Sequence, residues 1–377
     1  MKGIKGMKKI IIVSDRFGMG GLERVTSLIG NRLSDKNQVL FFSISEERPF
    51  YQLNAPISFY KNQSFREKIA FFFFRVIRKF SLNIFNRNIV FLKKPEKQIF
   101  KKIVHYNIDT IVLTGWSILF ATYYHNRFPG TTIILWMHNS YKVYFEDYFL
   151  HYKGKLISSM NNANKVVALT EEDKNGFGSF SKNVIKISNP ITLENNQHFS
   201  ILKNKTISIT CRYAIEHKGL DYLVQIAKLI PDDWKIAVAG SGSPEEVKEF
   251  EALISKAGVT DKFILRGALS GDDLLKHYQE SSIYVMTSRW EGLPLVLTEA
   301  MSFGLPIISF ENSGANEVLE NGKYGILVEQ GNVEEFSRQL NRMIESKELR
   351  EEYSKKSLER VKDFSIEKII KQWEEII

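Results

Sequence analysis

The sequence predicts an α/β fold made of two doubly wound, Rossmann-like parallel-sheet domains that face a central cleft. Short apolar strands alternate with amphipathic helices in both halves of the chain, which is typical of parallel sheets covered by helices. The chain of 377 residues is also too long for one compact core, because single domains usually hold about 50 to 250 residues. We therefore expect one domain over residues 1–192, a second over 193–362, and a separate helix over 363–377.

The N-terminal half opens with an apolar strand over residues 9–13, and a glycine loop with the sequence GMGG follows at 18–21. The next residues place apolar side chains at spacings of three and four, which predicts a helix packed on the sheet. This strand, loop and helix form the first unit of a doubly wound domain. Later strands of the same domain are predicted over 39–43, 110–113, 132–136, 165–169 and 184–187.

The C-terminal half is more regular and begins after a polar connector, LENNQHFSILKN. Apolar strands alternate with helices there, which again predicts a parallel sheet. The strands are predicted over 206–211, 235–240, 263–267 and 282–286. The last segment, 364–377, has the apolar periodicity of an amphipathic helix.

Composition excludes several classes of protein. The chain is 44% apolar and 25% charged, which is ordinary for a globular protein. Its single cysteine, Cys211, excludes a disulfide framework and is typical of a reducing compartment. The apolar run at 10–13 is too short for a signal peptide, and no stretch reaches the roughly 18 apolar residues of a membrane span. We therefore expect a cytoplasmic protein.

Residues 65–102 combine positive charge with aromatic rings. This segment contains eleven Lys or Arg against two Glu, together with nine phenylalanines. Such a mixture is typical of an element lying on an anionic membrane, with rings at the headgroup boundary and cations on the lipid. A core helix whose basic side chains extend to solvent is the alternative, and no RNA-binding motif supports a nucleic-acid partner. We expect peripheral attachment to the inner face of the cytoplasmic membrane.

The most informative motif is TSRWEGLPLVLTEAMSFG at residues 287–304. It follows an apolar strand, sets Glu291 in a loop, opens a helix at Pro294 and places Glu299 inside that helix. A strand, a loop and a helix N-terminus that converge on one point are how α/β proteins bind a diphosphate. Two carboxylates at this spacing could then reach opposite ends of one nucleotide-sugar. Two exposed glutamates on an ordinary amphipathic helix are the alternative interpretation.

This E-x7-E pair, together with the surrounding EGLPLVLTEAMSFGLPIISF, resembles the donor-site signature of family 4 glycosyltransferases. These are retaining enzymes with the GT-B fold. The resemblance implies that Glu299 accepts hydrogen bonds from the ribose and that Glu291 binds hydroxyls of the donor sugar near the reacting centre. It also implies that the backbone of Gly292 and Leu293, with Pro294 at the helix start, faces the donor.

The resemblance is uneven along the chain. It is dense over 206–345, moderate over 9–33 and 130–191, and absent over 44–110. The gap over 44–110 leaves the acceptor open. In relatives the last helix packs back on the N-terminal domain, so we expect 363–377 to cross back, with Phe364, Ile370 and Trp373 as anchors.

Two cations follow the first strand of the second domain, in CRYAIEHKG. The spacing of Arg212 and Lys218 resembles the family's clamp on the donor diphosphate, where charge-assisted hydrogen bonds stabilise the leaving group. Two surface cations on a loop are the alternative. The chain has no DxD cluster at a strand end, so we expect neither a divalent metal nor another cofactor. His217 has no predicted role.

Two glycine loops add weaker signals. Gly20 and Gly21 would let backbone amides approach the diphosphate from the N-terminal side, as GG-x-E-R does in relatives. Gly240 lies in a second strand–loop turn beside the expected nucleotide. Glycine after a strand is also common where a helix packs closely, so neither loop is specific by itself.

A histidine completes the predicted site. His138 follows an apolar strand at its carboxyl end, in LWMHNS, and family members have a histidine there that contacts the donor sugar. A strand-end histidine bonded to backbone is the alternative. The predicted catalytic residues are therefore Glu291, His138, Arg212 and Lys218.

The predicted function is transfer of a hexose or N-acetylhexosamine from a nucleotide-sugar, with UDP as the family's commonest nucleotide. The resemblance implies retention of anomeric configuration. A membrane-linked acceptor in bacterial surface polysaccharide synthesis, either a polyprenyl-diphosphate oligosaccharide or a glycolipid, fits the basic, phenylalanine-rich segment 65–102. A sugar-nucleotide epimerase on the same scaffold and a non-catalytic nucleotide-sugar-binding protein are the alternatives. The donor base and sugar, the linkage, the acceptor and the oligomeric state remain open.

Overall fold

The computed structural model describes residues 6–61, 93–193 and 198–377. These residues form two lobes, each built around one parallel β-sheet that helices cover. We call them the N-terminal lobe, with its strands between residues 9 and 186, and the C-terminal lobe, with its strands between 206 and 328. The predicted fold class of two doubly wound α/β domains is therefore confirmed.

The N-terminal sheet contains β1 (Lys9–Ser14), β2 (Gln38–Ser43), β3 (Ile57–Phe59), β4 (Thr110–Thr114), β5 (Thr132–Trp136), β6 (Lys165–Ala168) and β7 (Val184–Lys186). The strand order is β3-β2-β1-β4-β5-β6-β7, with every described pair parallel. Successive strands are therefore added toward one edge of the sheet from β1 to β3 and toward the other edge from β4 to β7. The carboxyl ends of β1 and β4 border the switch point between these two halves, where α/β sheets bind ligands. Among the described strands of this sheet, β3 alone was not predicted, because its three residues are half-buried and carry no apolar run.

The helices of this lobe are α1 (Gly21–Ser34), α2 (Lys93–Tyr106), α3 (Ala121–His125), α4 (Tyr141–Val143), α5 (Lys153–Asn161) and α6 (Glu171–Gly178). Helix α1 begins at the glycine loop and buries Val25, Ile29 and Leu33 against the sheet, as its apolar spacing predicts. A 3₁₀ turn over Gly115–Phe120 follows β4, and a π-helical turn over Tyr144–Tyr148 continues α4.

The C-terminal sheet contains β8 (Thr206–Thr210), β9 (Lys235–Ala239), β10 (Phe263–Gly267), β11 (Ile283–Met286), β12 (Ile307–Phe310) and β13 (Ile326–Val328), in the order β10-β9-β8-β11-β12-β13. Its switch point therefore lies between β8 and β11. The helices are α7 (Ile215–Lys218), α8 (Leu220–Ala227), α9 (Pro244–Ala257), α10 (Gly271–Gln279), α11 (Leu295–Ser302), α12 (Ser313–Val318), α13 (Val333–Glu345) and α14 (Lys347–Arg360).

The last helix, α15 (Ile366–Ile376), follows the C-terminal lobe but packs on the N-terminal one. The Trp373 ring is 1% exposed and lies 4.5 Å from the ring of Trp136 at the end of β5. Lys36 Nζ, just beyond α1, forms an ion pair with Glu374 at 2.7 Å. One apolar cluster consequently extends from the N-terminal sheet through α15 into the C-terminal lobe.

Most of the basic, phenylalanine-rich segment 65–102 lies outside the described residues, so its attachment to a membrane stays a prediction. In its described part, Ile99 of α2 is buried, and the Phe100 ring lies 5.0 Å from the ring of Phe128. This part of the segment therefore packs on the N-terminal core. None of the helices in the described ranges combines the length and apolar character that crossing a bilayer requires.

Candidate active site

Two loops follow the neighbouring strands β8 and β11 and carry most of the predicted site residues, and they are in direct contact. Thr287 Oγ1 donates a hydrogen bond of 2.8 Å to the carbonyl of Lys218. Arg289 N donates one of 2.9 Å to the carbonyl of His217. Because both loops leave the same edge of one sheet, these bonds fix the side chains of one loop relative to those of the other.

Side chains strengthen this connection. The Arg289 guanidinium donates two hydrogen bonds to the Asp221 carboxylate, at 2.8 and 2.7 Å, and lies 4.0 Å from the centre of the Tyr222 ring. The His217 ring stacks on Trp290 with centroids 4.7 Å apart, and its Nε2 lies 2.9 Å from the Trp290 carbonyl. His217 therefore positions the loop, a role that only the spatial contact reveals.

Lys218 and Glu291 form the central contact of the site. Lys218 Nζ lies 2.6 Å from Glu291 Oε1, and the two side chains are 18% and 13% exposed. Burial is the largest single influence and raises the pKa of Glu291, but the charges of Lys218 and His217 and hydrogen bonds from Lys218 and Ser288 together outweigh it, so the pKa is lowered. Glu291 is therefore ionised at neutral pH. Lys218, which is predicted to bind the donor diphosphate, is thus the ion-pair partner of Glu291, which is predicted to bind the donor sugar.

Arg212 differs from Lys218 although both belong to the predicted clamp. Its side chain is exposed, and within the described ranges it makes no hydrogen bond or ion pair. Its charge nevertheless helps to lower the pKa of His217, after burial and the charge of Lys218. The two cations thus lie in one region, with the guanidinium of Arg212 still able to bind an anion. No group of three or more His, Cys, Asp or Glu suited to a metal occurs in the described part of the chain.

Helix α11 begins one residue later than predicted, because Pro294 is its N-cap and Leu295 is its first helical residue. Pro294 has the extended angles φ −72° and ψ 106°, and its carbonyl already accepts a hydrogen bond of 3.1 Å from Leu297 N. A residue with extended backbone whose carbonyl starts the helical bonding is an N-cap. The prediction that the helix opens at Pro294 itself was wrong by this one position.

Glu299 lies in α11 and is 3% exposed. Its Oε1 accepts hydrogen bonds from Arg24 Nη1 at 2.8 Å and Thr192 Oγ1 at 2.6 Å, and its Oε2 accepts one from the Tyr278 hydroxyl at 3.0 Å. A carboxylate accepts about four hydrogen bonds, so these donors occupy most of its capacity. The predicted role of Glu299 toward a ribose stays a prediction, and two ribose hydroxyls would have to displace one of these donors.

Arg24 is a site residue that the sequence analysis missed. It lies in α1 of the N-terminal lobe and spans three elements, since its Nη1 bonds Glu299 and its Nη2 donates to the carbonyl of Thr192 at 2.9 Å. Thr192 belongs to the connector between the lobes. Arg24 is the last residue of the sequence GGLER, which the sequence analysis considered only for its glycines. Only the fold shows that this arginine reaches the other lobe.

The lobes also meet at Gly292. A Cβ built on this glycine would lie 2.4 Å from the His138 carbonyl and 2.9 Å from Asn139 Cα, so a larger residue would push the lobes apart. His138 is half-buried, its Nε2 is inaccessible to solvent and has no hydrogen-bond partner among the described residues, and burial lowers its pKa to about 3. The structure therefore brings the His138 backbone beside the Glu291–Leu293 loop, while the imidazole of this residue is neutral and lies 4.4 Å from the Trp136 ring.

Among the remaining predicted glycines, packing requires glycine at Gly240 but not at Gly20 or Gly21. A Cβ on Gly240 would lie 1.7 Å from the Cys211 carbonyl, so glycine is required where the β8 and β9 loops cross. Gly20 has the extended φ of 171°, and a Cβ on Gly21 would lie 3.4 Å from Leu295 of the other lobe. Their contact with a diphosphate stays a prediction.

Comparisons with known proteins agree with this geometry. Residues 193–360 match the family described as Glycosyl transferases group 1. An uncharacterised glycosyltransferase of Haemophilus influenzae is 31% identical over 98% of this chain and 100% of its own length. The amylovoran biosynthesis glycosyltransferase AmsD of Erwinia amylovora is 26% identical over 98% of this chain and 99% of its own length.

Solved structures show the same architecture at lower identity. The sucrose-phosphate synthase of Thermosynechococcus elongatus superposes with a TM-score of 0.80 at 16% identity, covering 98% of both chains. Anabaena HepE, solved in complex with UDP and glucose, superposes with a TM-score of 0.77 at 18% identity, again over 98% of both chains. The two-lobed fold is thus the GT-B fold. Together with the full-length similarity to the Haemophilus protein, these matches show that the chain belongs to the group 1 glycosyltransferases.

Proposed function

We propose that this enzyme is a family 4 glycosyltransferase that moves a hexose or N-acetylhexosamine from a UDP-sugar to a membrane-linked glycan or lipid, with retention of configuration. The observation that carries the proposal is the Lys218–Glu291 pair, which is held at the C-terminal switch point beside His138 of the other lobe. A nucleotide-sugar in this cleft would meet cations, a carboxylate and a neutral imidazole within one crevice.

The donor follows from the charges at this crevice. A diphosphate leaving group needs positive charge, which the exposed guanidinium of Arg212 and the ammonium of Lys218 supply. Glu291 remains ionised and would accept hydrogen bonds from sugar hydroxyls. Similarity in fold to HepE, solved with UDP and glucose, supports a UDP-sugar as the donor. Protein cations would neutralise the diphosphate, so we expect no divalent metal.

In the proposed mechanism the bond between the anomeric carbon and the phosphate oxygen breaks while the acceptor oxygen approaches the same face of the sugar. The departing phosphate oxygen takes the acceptor proton, so no separate base is required. The protein would act by positioning and by electrostatic stabilisation of the leaving group in a closed cleft.

Two observations support a membrane-linked acceptor in surface polysaccharide synthesis. The Erwinia relative, which is similar over nearly its whole length, acts in amylovoran biosynthesis. Segment 65–102 has the basic and aromatic composition of a peripheral membrane element. We accordingly propose that the enzyme works at the inner face of the cytoplasmic membrane.

A panel of nucleotide-sugars tests the proposal without knowledge of the acceptor. We expect slow release of UDP from one UDP-hexose or UDP-N-acetylhexosamine, because transferases leak their donor to water, and we expect EDTA to leave the rate unchanged. Calorimetry with UDP provides an independent measure of binding. Absence of both hydrolysis and binding across the panel would contradict the proposal, and full dependence on added Mg²⁺ would contradict its metal-free part.

A further inference from the structure

A second group of polar and aromatic side chains lies at the N-terminal switch point and takes no part in the proposed donor site. Asp15 follows β1 and Trp116 follows β4, and these neighbouring parallel strands end at the same edge of the sheet. The Trp116 backbone N–H donates to both oxygens of the Asp15 carboxylate, at 2.9 and 3.2 Å. The two residues therefore form one unit on the cleft side of the lobe.

The backbone is shaped to hold this carboxylate. Gly115, between β4 and Trp116, has a φ of 58°, a conformation that L side chains rarely adopt. A Cβ there would lie 2.2 Å from Asp15 Oδ2. Glycine at this position thus allows the chain to turn over the carboxylate and to present the Trp116 N–H to it.

Asp15 has spare capacity for a ligand. Within the described ranges only the Trp116 N–H donates to its carboxylate, which could accept about four hydrogen bonds. Burial raises the pKa of Asp15 to about 6, and the Trp116 hydrogen bond offsets part of that rise. Partial desolvation without an ion-pair partner is costly, and hydroxyl donors from a ligand would satisfy the group.

The Trp116 side chain provides an aromatic surface beside this carboxylate. It is 45% exposed although it is large and apolar. Its ring meets Phe149 at 4.8 Å and Tyr152 at 5.7 Å, with interplanar angles of 64° and 89°. Two buttressing rings at steep angles hold the indole in place while leaving much of it open to solvent.

This surface is connected to the predicted donor site. Phe149 stacks on Tyr144 with ring centroids 5.5 Å apart, and the Tyr144 hydroxyl accepts a hydrogen bond of 3.1 Å from His138 N. His138 is the residue predicted to contact the donor sugar. A ligand on Trp116 would therefore lie on the same lobe edge as the transferred sugar, which is where an acceptor must approach.

We propose that Trp116 and Asp15 form the acceptor subsite and bind the pyranose ring that ends the acceptor glycan. The C–H face of a pyranose packs on the electron-rich face of an indole, and the hydroxyls at its edge donate to a carboxylate. A lipid chain would need no carboxylate held in this way. The Asp15 carboxylate would repel an acceptor phosphate, and the neighbouring Arg16 guanidinium is already paired with Glu23 at 2.9 Å. This inference rests on the proposed function, because it assigns the second substrate of that site.

The test uses the full-length protein and methyl glycosides of glucose, galactose, N-acetylglucosamine and N-acetylgalactosamine as probes, titrated by saturation-transfer NMR. We expect saturable binding of at least one glycoside to the wild type. Trp116→Ala should raise its Kd roughly tenfold, and Trp116→Phe, which keeps an aromatic face, by about threefold. Asp15→Asn can still accept the Trp116 hydrogen bond, and we expect it to raise the Kd about fivefold.

The matched control is Tyr106→Ala. Tyr106 is 43% exposed and ends the helix before β4, at the opposite edge of the same sheet. Its replacement should leave the glycoside Kd unchanged, and thermal melts should show that all variants fold. UDP titration separates the two hypotheses, because failure of the proposed function abolishes UDP binding whereas failure of the subsite leaves it intact.

Two results would overturn the subsite directly: no glycoside binds the wild type, or Trp116→Ala binds glycosides with the wild-type Kd. A third would also overturn it: Trp116→Ala keeps its glycoside binding but no longer sediments with phosphatidylglycerol vesicles. The last result would assign the aromatic surface to lipid.

Discussion

The switch points of the two sheets face the same cleft but differ in chemistry. At the C-terminal switch point, ionised groups are paired and cross-connected, with Lys218 on Glu291 and Arg289 on Asp221. In the N-terminal lobe, Arg16 and Glu23 also form an ion pair, but burial favours the uncharged forms of Asp15 at the switch point and of His138 after the adjacent strand β5. Burial lowers the pKa of His138 to about 3 and raises that of Asp15 to about 6. The His138 ring lies 4.4 Å from the Trp136 ring, and Asp15 is bonded by the backbone N–H of Trp116.

This difference indicates a division of labour between the lobes. Paired charges at the C-terminal switch point can be redistributed when a diphosphate arrives, because Lys218 can turn from Glu291 toward the new anion. A desolvated and weakly charged switch point suits hydroxyls and sugar faces. Four experiments test the comparison, from the largest expected effect to the smallest.

The largest effect should come from Glu291→Gln, which keeps the shape of the side chain but removes its charge. We expect turnover to fall by roughly 10²- to 10³-fold, because a preorganised charge at the reacting centre is lost. The Kd of UDP should stay within about threefold, since Glu291 is predicted to bind the sugar. Glu329→Gln, an exposed carboxylate of the same lobe, is the control. Equal turnover in wild type and Glu291→Gln would remove Glu291 from the mechanism.

Lys218→Ala and Arg212→Ala should separate the paired cation from the free one. Both should lower turnover, by about 10- to 100-fold, through lost stabilisation of the leaving group. Only Lys218→Ala should also lower the free energy of unfolding, by about 2 kcal/mol, because it leaves the mostly buried Glu291 unpaired. Urea unfolding and donor hydrolysis measure the two effects. An equal loss of stability in Arg212→Ala would contradict the description of Arg212 as free.

Arg24→Ala tests the contact that joins the lobes. Removing a partner of the buried Glu299 should cost about 3 kcal/mol of unfolding free energy. Small-angle scattering should also show a larger radius of gyration, because the bonds from α1 to the connector and to α11 are lost. Arg24→Lys should recover only part of the stability, since lysine cannot bond both partners with one planar fork.

The control for Arg24 is Lys36→Ala, which breaks the ion pair between Lys36, just beyond α1, and Glu374 of α15. The Lys36 side chain is 69% exposed, so its pair with Glu374 should contribute about 0 to 1 kcal/mol. Similar losses in both variants would mean that burial does not distinguish the two contacts.

The smallest effect should be a pH dependence set by His138. Burial lowers its pKa from 6.5 to about 3 in the folded protein, so between these values the unfolded chain binds a proton that the folded protein does not. Acidification through this range therefore favours unfolding. His138→Gln removes the effect, and its stability relative to wild type should rise by about 1 kcal/mol between pH 7.5 and 5.5. Urea unfolding at both pH values measures this change, with the exposed His125→Gln as control.

Much of the fold was readable from local sequence. The strands of the C-terminal lobe up to β11 alternate with helices at regular spacing, and their predicted bounds agree with the structure within about one residue. The short strand β3 was missed because three half-buried residues carry no periodicity. Pro294 was placed one residue inside α11 because proline suits both the first helical position and the residue before it, and only the bonding of its carbonyl distinguishes them.

The candidate site was readable where its residues lie in one motif. Lys218 and Glu291 were singled out in separate loops, and the adjacency of β8 and β11 brings them together. Arg24, Trp116 and Asp15 were not singled out, because their partners lie about 100 or more residues away along the chain. Single-sequence patterns hold no information on such pairs.

The sequence by itself determined the alternation of strands and helices, the two-domain α/β class and the residues of the E-x7-E motif. Those features depend on local periodicity and on side chains close together along the chain. Only the tertiary structure decided that Glu299 is enclosed by Arg24, Thr192 and Tyr278, and that Asp15 is held by the Trp116 amide. Hydrogen bonding and desolvation depend on distances in space, and these are fixed only when both sheets and the connector have folded.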